Sequence, residues 1–115
     1  MSTNDIAKQS DISIHVGLNN EKHPVKIEWM AQDSGLDGKK ESKAMMLAFW
    51  DKIEKSTMRI DLWTTEMTVE EMQFFTYETL RSMADSYERA TSDKELSKEM
   101  REFANKFGKA AKVLK

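Results

Sequence analysis

Ile12, Ile14, Val16 and Leu18 alternate with Ser13, His15, Gly17 and Asn19. A period of two built on β-branched residues predicts a half-buried strand. Asn19-Asn20-Glu21-Lys22-His23-Pro24 is turn chemistry, since Asn tolerates positive φ and Pro fixes its own. Alternation resumes with Val25, Ile27 and Trp29 against Lys26, Glu28 and Met30, which closes a hairpin. Two glycines within Asp33-Ser34-Gly35-Leu36-Asp37-Gly38-Lys39-Lys40 mark a loop. Lys43 to Asp51 reads two ways. Its Ala, Met and Leu residues favour helix, whereas the unbroken apolar run Ala44 to Trp50, bounded by charge, fits a strand covered on both faces. The strand reading is preferred because Met58, Ile60 and Leu62 then alternate with Arg59, Asp61 and Trp63, and Lys52 to Ser56 has the length of a hairpin connection.

The period then changes to 3.6. Thr68-Val69-Glu70-Glu71 has the capping-box form that satisfies the free N–H groups of a helix start. Met72, Phe75, Leu80, Met83, Ala84 and Tyr87 follow on one face, with Asp85 and Arg89 spaced as an i,i+4 ion pair. Thr91-Ser92 breaks the helix, and Ser92 to Glu95 forms a second capping box. Leu96, Met100, Phe103, Phe107, Ala110 and Leu114 then make a second amphipathic stripe. Met72, Met83 and Met100 are expected in the core. The order β-β-β-β-α-α predicts an α+β domain over residues 11–115: a four-stranded antiparallel sheet of two hairpins, then two C-terminal helices. Residues 1–10 read as a solvated, flexible arm.

Composition narrows the function classes. The 115 residues contain no cysteine, which excludes disulfides, Cys-ligated metal sites and a cysteine nucleophile. Lys and Arg total 18 against 20 Asp and Glu, so the basic excess usual for nucleic-acid binding is missing. No secretory apolar segment opens the chain, and Ala44 to Trp50 is far too short to span a bilayer. The expectation is a soluble cytoplasmic protein without direct membrane insertion.

Candidate chemistry is sparse. Asp33 to Gly38 imitates the start of a calcium loop, with Asp at positions one and five and Gly at six. Gly35 at position three and Ala44 at position twelve supply no carboxylate, so the segment reads as a turn. His15 on a polar strand face and His23 in a turn have no partner at zinc-ligand spacing. Glu70 and Glu71 fall in a first helical turn, where they complement the dipole. No catalytic set, cofactor motif or metal signature emerges.

Several segments carry a resemblance. Lys26 to Trp29, Lys43 to Leu47, Arg59 to Thr64, Met83 to Asp85, Glu88 to Thr91 and Met100 to Phe103 resemble the gliding motility protein GldC family of the Bacteroidetes, from about Asp11 to Phe107. The resemblance implies a small cytoplasmic protein associated with the gliding machinery, peripheral to the inner membrane only through a partner, and it transfers no catalytic motif. The element order alone is similar to that of the export chaperone SecB.

Met30 and Trp63 share a strand face with His15, Lys26, Glu28, Arg59 and Asp61, opposite the face that helices should cover. The third strand is apolar on both sides, so one of its rows, Met45-Leu47-Phe49 or Met46-Ala48-Trp50, joins that outer face. An exposed apolar patch of several hundred Å2 marks an interaction site. The expected function is a non-enzymatic protein–protein interaction module of the gliding machinery, with Met30, Met45, Leu47, Phe49, Arg59 and Trp63 as partner contacts. The same face could serve homo-oligomerisation. The alternative is a SecB-like, export-related holdase for unfolded segments.

Overall fold

The structure, a computed structural model, describes residues 4–35 and 38–114. Met1–Thr3 of the arm, and Leu36 and Asp37 of the calcium-like segment, lie outside the described residues. Two compact units follow one another in the chain, Met1–Met67 and Thr68–Lys115.

The first unit is all β: β1 (Ile12–Leu18), β2 (Pro24–Ala31), β3 (Lys40–Ser42), β4 (Ala44–Trp50) and β5 (Thr57–Trp63). The segment left open between strand and helix is thus a strand. However, the expected single four-stranded sheet is two antiparallel sheets, β1-β2-β3 and β4-β5. They separate at Lys43, where the chain bends, so the residues before it pair with β2 and those after it with β5. Backbone bonds from Thr64 N to Lys43 O (2.7 Å) and from Thr65 N to Pro24 O (3.1 Å) tie this junction. β3 escapes sequence reading because Lys40-Glu41-Ser42 has no apolar alternation.

The two hairpins turn on side-chain carboxyl and amide oxygens. Asn19 Oδ1 accepts from Glu21 N (2.9 Å) and His23 N (3.0 Å). The left-handed position in this turn belongs to Lys22 (φ 65°) and not to an Asn. Asp51 Oδ2 likewise accepts from Ile53 N and Glu54 N, with Lys55 at φ 53°. Pro24, lacking an N–H, opens β2, the place in a strand that tolerates it. Ser10 Oγ donates to Gln32 O (3.1 Å) and Lys8 lies 3.3 Å from Asp33, so the residues before β1 are joined to the end of β2. Ile27, opposite Val16 on β1 and Ser42 on β3, is 1% exposed and is the buried hydrophobic residue of this unit among the described residues.

The second unit is an antiparallel helical hairpin, α1 (Val69–Thr91) and α2 (Lys94–Ala110). Thr68 caps α1 with the expected box: Glu71 N donates to Thr68 Oγ1 (3.0 Å) and Thr68 N donates to Glu71 Oε1 (3.1 Å). The second cap is one residue later than the sequence pattern suggests. Ser92 takes the left-handed end position of α1 (φ 60°), and Asp93 caps α2 by accepting from Leu96 N (3.0 Å). Ser92 cannot end one helix and cap the next at once. α2 also stops short of Leu114: Lys112 turns left-handed (φ 62°), and Val113 N and Leu114 N both donate back to Gly108 O.

Small residues fill the seam between the helices. Ala84, Ser97, Ala104 and Gly108 are buried, with Tyr77 over Gly108. Met83, Leu96 and Phe103, expected inside, are exposed at the flanks, because close helix approach selects small side chains over large ones. Met72 and Met100 are half-buried. The expected Asp85–Arg89 pair is replaced by an interhelical one. Arg101 donates to Asp85 Oδ1 (2.8 Å) and Glu88 Oε1 (2.9 Å), while Arg89 reaches Ser86 Oγ.

The Arg101 bonds hold both carboxyls below their ordinary values, and a Ser97 bond adds to the effect on Glu88. Carboxyls lowered by folding contribute stability that is complete above their unfolded pKa and is lost as pH falls through the folded one. Below about pH 5 the urea midpoint of the wild type should therefore fall more steeply than that of Arg101→Met. Parallel curves from urea melts at stepped pH would show that this pairing contributes nothing to folding.

Candidate interaction surface

The β4–β5 register decides which side chains share a face. Directly opposed residues in an antiparallel pair lie on the same side. Met45–Leu62, Leu47–Ile60 and Phe49–Met58 form one face, and Ala44–Trp63, Met46–Asp61, Ala48–Arg59 and Trp50–Thr57 the other. The row that joins Arg59 and Trp63 is thus Met46-Ala48-Trp50. Met45, Leu47 and Phe49 sit on the opposite side of the hairpin, so the expected contact set divides.

Met30 stands apart again. It lies on the three-stranded sheet, opposite Ser13 and next to the His15–Glu28 pair, and lines a concavity with His15, Glu28 and Lys39. Trp63 lines a different one with His23, Pro24, Thr64 and Met67. Thr64 in that cleft is 3% exposed, and its hydroxyl oxygen has no hydrogen-bond partner among the described residues. His23 Nδ1 is 3.6 Å from Glu21. Among the described residues no group of three or more His, Asp or Glu is placed to hold a metal ion.

The face bearing Trp63 has a defined layout. Arg59 donates through Nε to Asp61 Oδ2 (3.1 Å) and through Nη2 to Asp61 Oδ1 (3.0 Å), a fork held along one strand edge. The hydrogen bond to Asp61 holds the Arg59 pKa above its ordinary value. Trp63 and Trp50 flank this pair near opposite ends of the hairpin and are 57% and 69% exposed. Seven-residue strands place them roughly 20 Å apart along the hairpin. The small residues Ala44 and Ala48 beside them leave the indoles and the charged fork standing proud.

The helical hairpin adds a concavity that the sequence did not reveal. Leu80, Tyr87, Leu96, Glu99, Met100 and Phe103 line an open, mostly apolar groove of about 500 Å3. The sequence pattern assigns five of these residues to a buried stripe; the helices meet on their small residues and leave the large ones along the groove.

Residues 24–113 match the family model of gliding motility-associated protein GldC-like. That span runs from the first residue of β2 past the end of α2. The chain belongs to the GldC-like family. No curated protein and no solved structure matches it, so the likeness in element order to SecB gains no support. In this GldC-like chain no helix among the described residues is long and apolar enough to cross a membrane. The matched span includes both strands of the β4–β5 hairpin and both helices, and leaves β1 outside.

Proposed function

We propose that this chain is a non-enzymatic docking protein of the gliding machinery, and that it binds a protein partner through the β4–β5 face carrying Trp50, Arg59, Asp61 and Trp63. The observation that carries this reading is the pair of exposed indoles set about a preorganised Arg59–Asp61 fork. Trp and Arg dominate the energetics of protein interfaces, and the guanidinium of Arg59, held in place by Asp61, keeps N–H groups to donate to a partner. The family membership supplies the process. The apolar ends give affinity and the fork sets register on the partner. Met30 and its neighbours on the three-stranded sheet form a separate surface and are not required.

The test is capture of motility components by cross-linking in cells, followed by affinity measurement with the purified partner. Trp63→Ala should weaken binding by about 30-fold or more, the ~2 kcal/mol of a buried aromatic anchor. Helical and strand circular dichroism should be unchanged, because the side chain is more exposed than buried. Suppression of aggregation of unrelated unfolded clients, with no defined partner, would replace this reading with a holdase. Unfolding of Trp63→Ala would overturn the face assignment.

A further inference from the structure

The opposite face of the same hairpin has a different composition. Its three cross-strand pairs, Met45–Leu62, Leu47–Ile60 and Phe49–Met58, contain no polar or charged side chain. Phe49, Met58 and Ile60 are 56%, 59% and 49% exposed, and Ile53 stands out at the hairpin tip. The hairpin is also a sheet of only two strands, and isolated two-stranded sheets are marginal in water unless a further layer covers them.

We infer that this face is a homodimer interface, on which the β4–β5 hairpins of two copies pack face to face about a two-fold axis. Three observations select a second copy. The face lacks the charges by which a surface chooses a foreign partner, while those charges, Arg59 and Asp61, lie on the other side. An uncharged apolar row is complementary to itself and meets no like-charge repulsion when duplicated, although the whole chain carries a net charge of -2. About half exposed, Phe49, Met58 and Ile60 each present on the order of 100 Å2. With Ile53 at the tip and the half-buried Met45, Leu47 and Leu62 included, two copies would together bury roughly 1,000 Å2, the threshold for a specific interface. Aligned sheet packing at a spacing of about 10 Å accommodates such side chains. The central pair Leu47–Ile60 falls nearest the axis, so Ile60 faces its own symmetry mate. This arrangement leaves Trp50 and Trp63 of each copy on the outside, so the dimer would present two docking faces. The inference is independent of the docking reading: either can fail alone.

Sedimentation and single-cysteine cross-linking test it on the full chain. The wild type should sediment at twice the 13.3 kDa chain mass at micromolar concentration. Met58→Glu, at an exposed position of the face, should weaken dimerisation by about 100-fold or more, because it buries an unpaired carboxylate. The chain has no cysteine of its own, so single substitutions report one position each. On mild oxidation Ile60→Cys should give a disulfide dimer and Ala48→Cys, on the opposite face, should not. A wild-type monomer at about 100 μM would overturn the inference, as it would if the chain's own residues covered the face. Equal cross-linking from both cysteines would also overturn it, in favour of edge-to-edge strand pairing. If Met58→Glu unfolds, the cysteine pair alone decides.

Discussion

Ile27→Ala should destabilise the folded chain by about 2–5 kcal/mol, a large part of the 5–15 kcal/mol that holds a domain of this size together. Among the described residues Ile27 is the largest fully buried hydrophobic side chain, and it sits in the middle strand of the three-stranded sheet. Removing its outer carbons forfeits their transfer energy and leaves a cavity that the hydrogen-bonded strands on either side cannot close. Ile12→Ala makes the matching comparison. Ile12 belongs to the same apolar row, two steps beyond Val16 on β1, but it is 74% exposed. Its loss should cost no more than about 0.5 kcal/mol. Urea denaturation of the three proteins reads both values. Equal costs at the two sites would mean that burial does not set the stability of this sheet.

Gly108→Val should cost about 3 kcal/mol, against the trend that replacing Gly inside a helix stabilises it. A Cβ at Gly108 would stand 2.8 Å from Cδ1 and Cε1 of Tyr77 and 2.9 Å from Cδ1 of Leu114. Leu114 is at the end of the described chain and can give way, but Tyr77 is fixed. Its ring is nearly buried, and its hydroxyl accepts from Arg81 Nη1 at 3.1 Å. Valine adds two methyl groups to a contact already too short for one carbon. Tyr77→Ala should relieve much of the penalty, so the double variant should be less unstable than the sum of the singles. Additive losses would show that the ring does not control this site.

The strands β1, β2 and β5 were legible because each alternates apolar and polar residues with a period of two, although the apolar residues of β1 and β5 are mostly exposed, and α1 was legible from its capping box. The Ala44–Trp50 strand was recoverable only through its hairpin partner, since an apolar run without alternation has no period to read. β3 carries no apolar residue at all, and its pairing with β2 is a property of the fold. In the helices, the alternation by three and four marked amphipathic stripes, Ala84 among them, but Met83, Leu96 and Phe103 of those stripes are exposed. Ala84, Ala104 and Gly108 are buried in the seam between the helices, and small side chains such as Ala104 and Gly108 leave no hydrophobic peak in a sequence. The candidate surface was half legible. Trp63 and Arg59 share a strand face, as their alternation implies, but the row on β4 that joins them depends on a register of one residue. Slipping it by one exchanges Met45-Leu47-Phe49 for Met46-Ala48-Trp50.

The two units carry separate optical labels. Trp29, Trp50 and Trp63 all belong to Met1–Met67, whereas Tyr77 and Tyr87 both belong to Thr68–Lys115. Indole emission, excited at the red edge where tyrosine is silent, therefore reports the sheets alone. Helical ellipticity reports almost entirely the other half. A single thermal melt followed by both signals separates the two halves without any added dye. Coincident curves would place the Ile27 and Gly108 penalties on one shared transition. Separated curves would charge each penalty to its own half, with emission moved by Ile27→Ala and ellipticity by Gly108→Val.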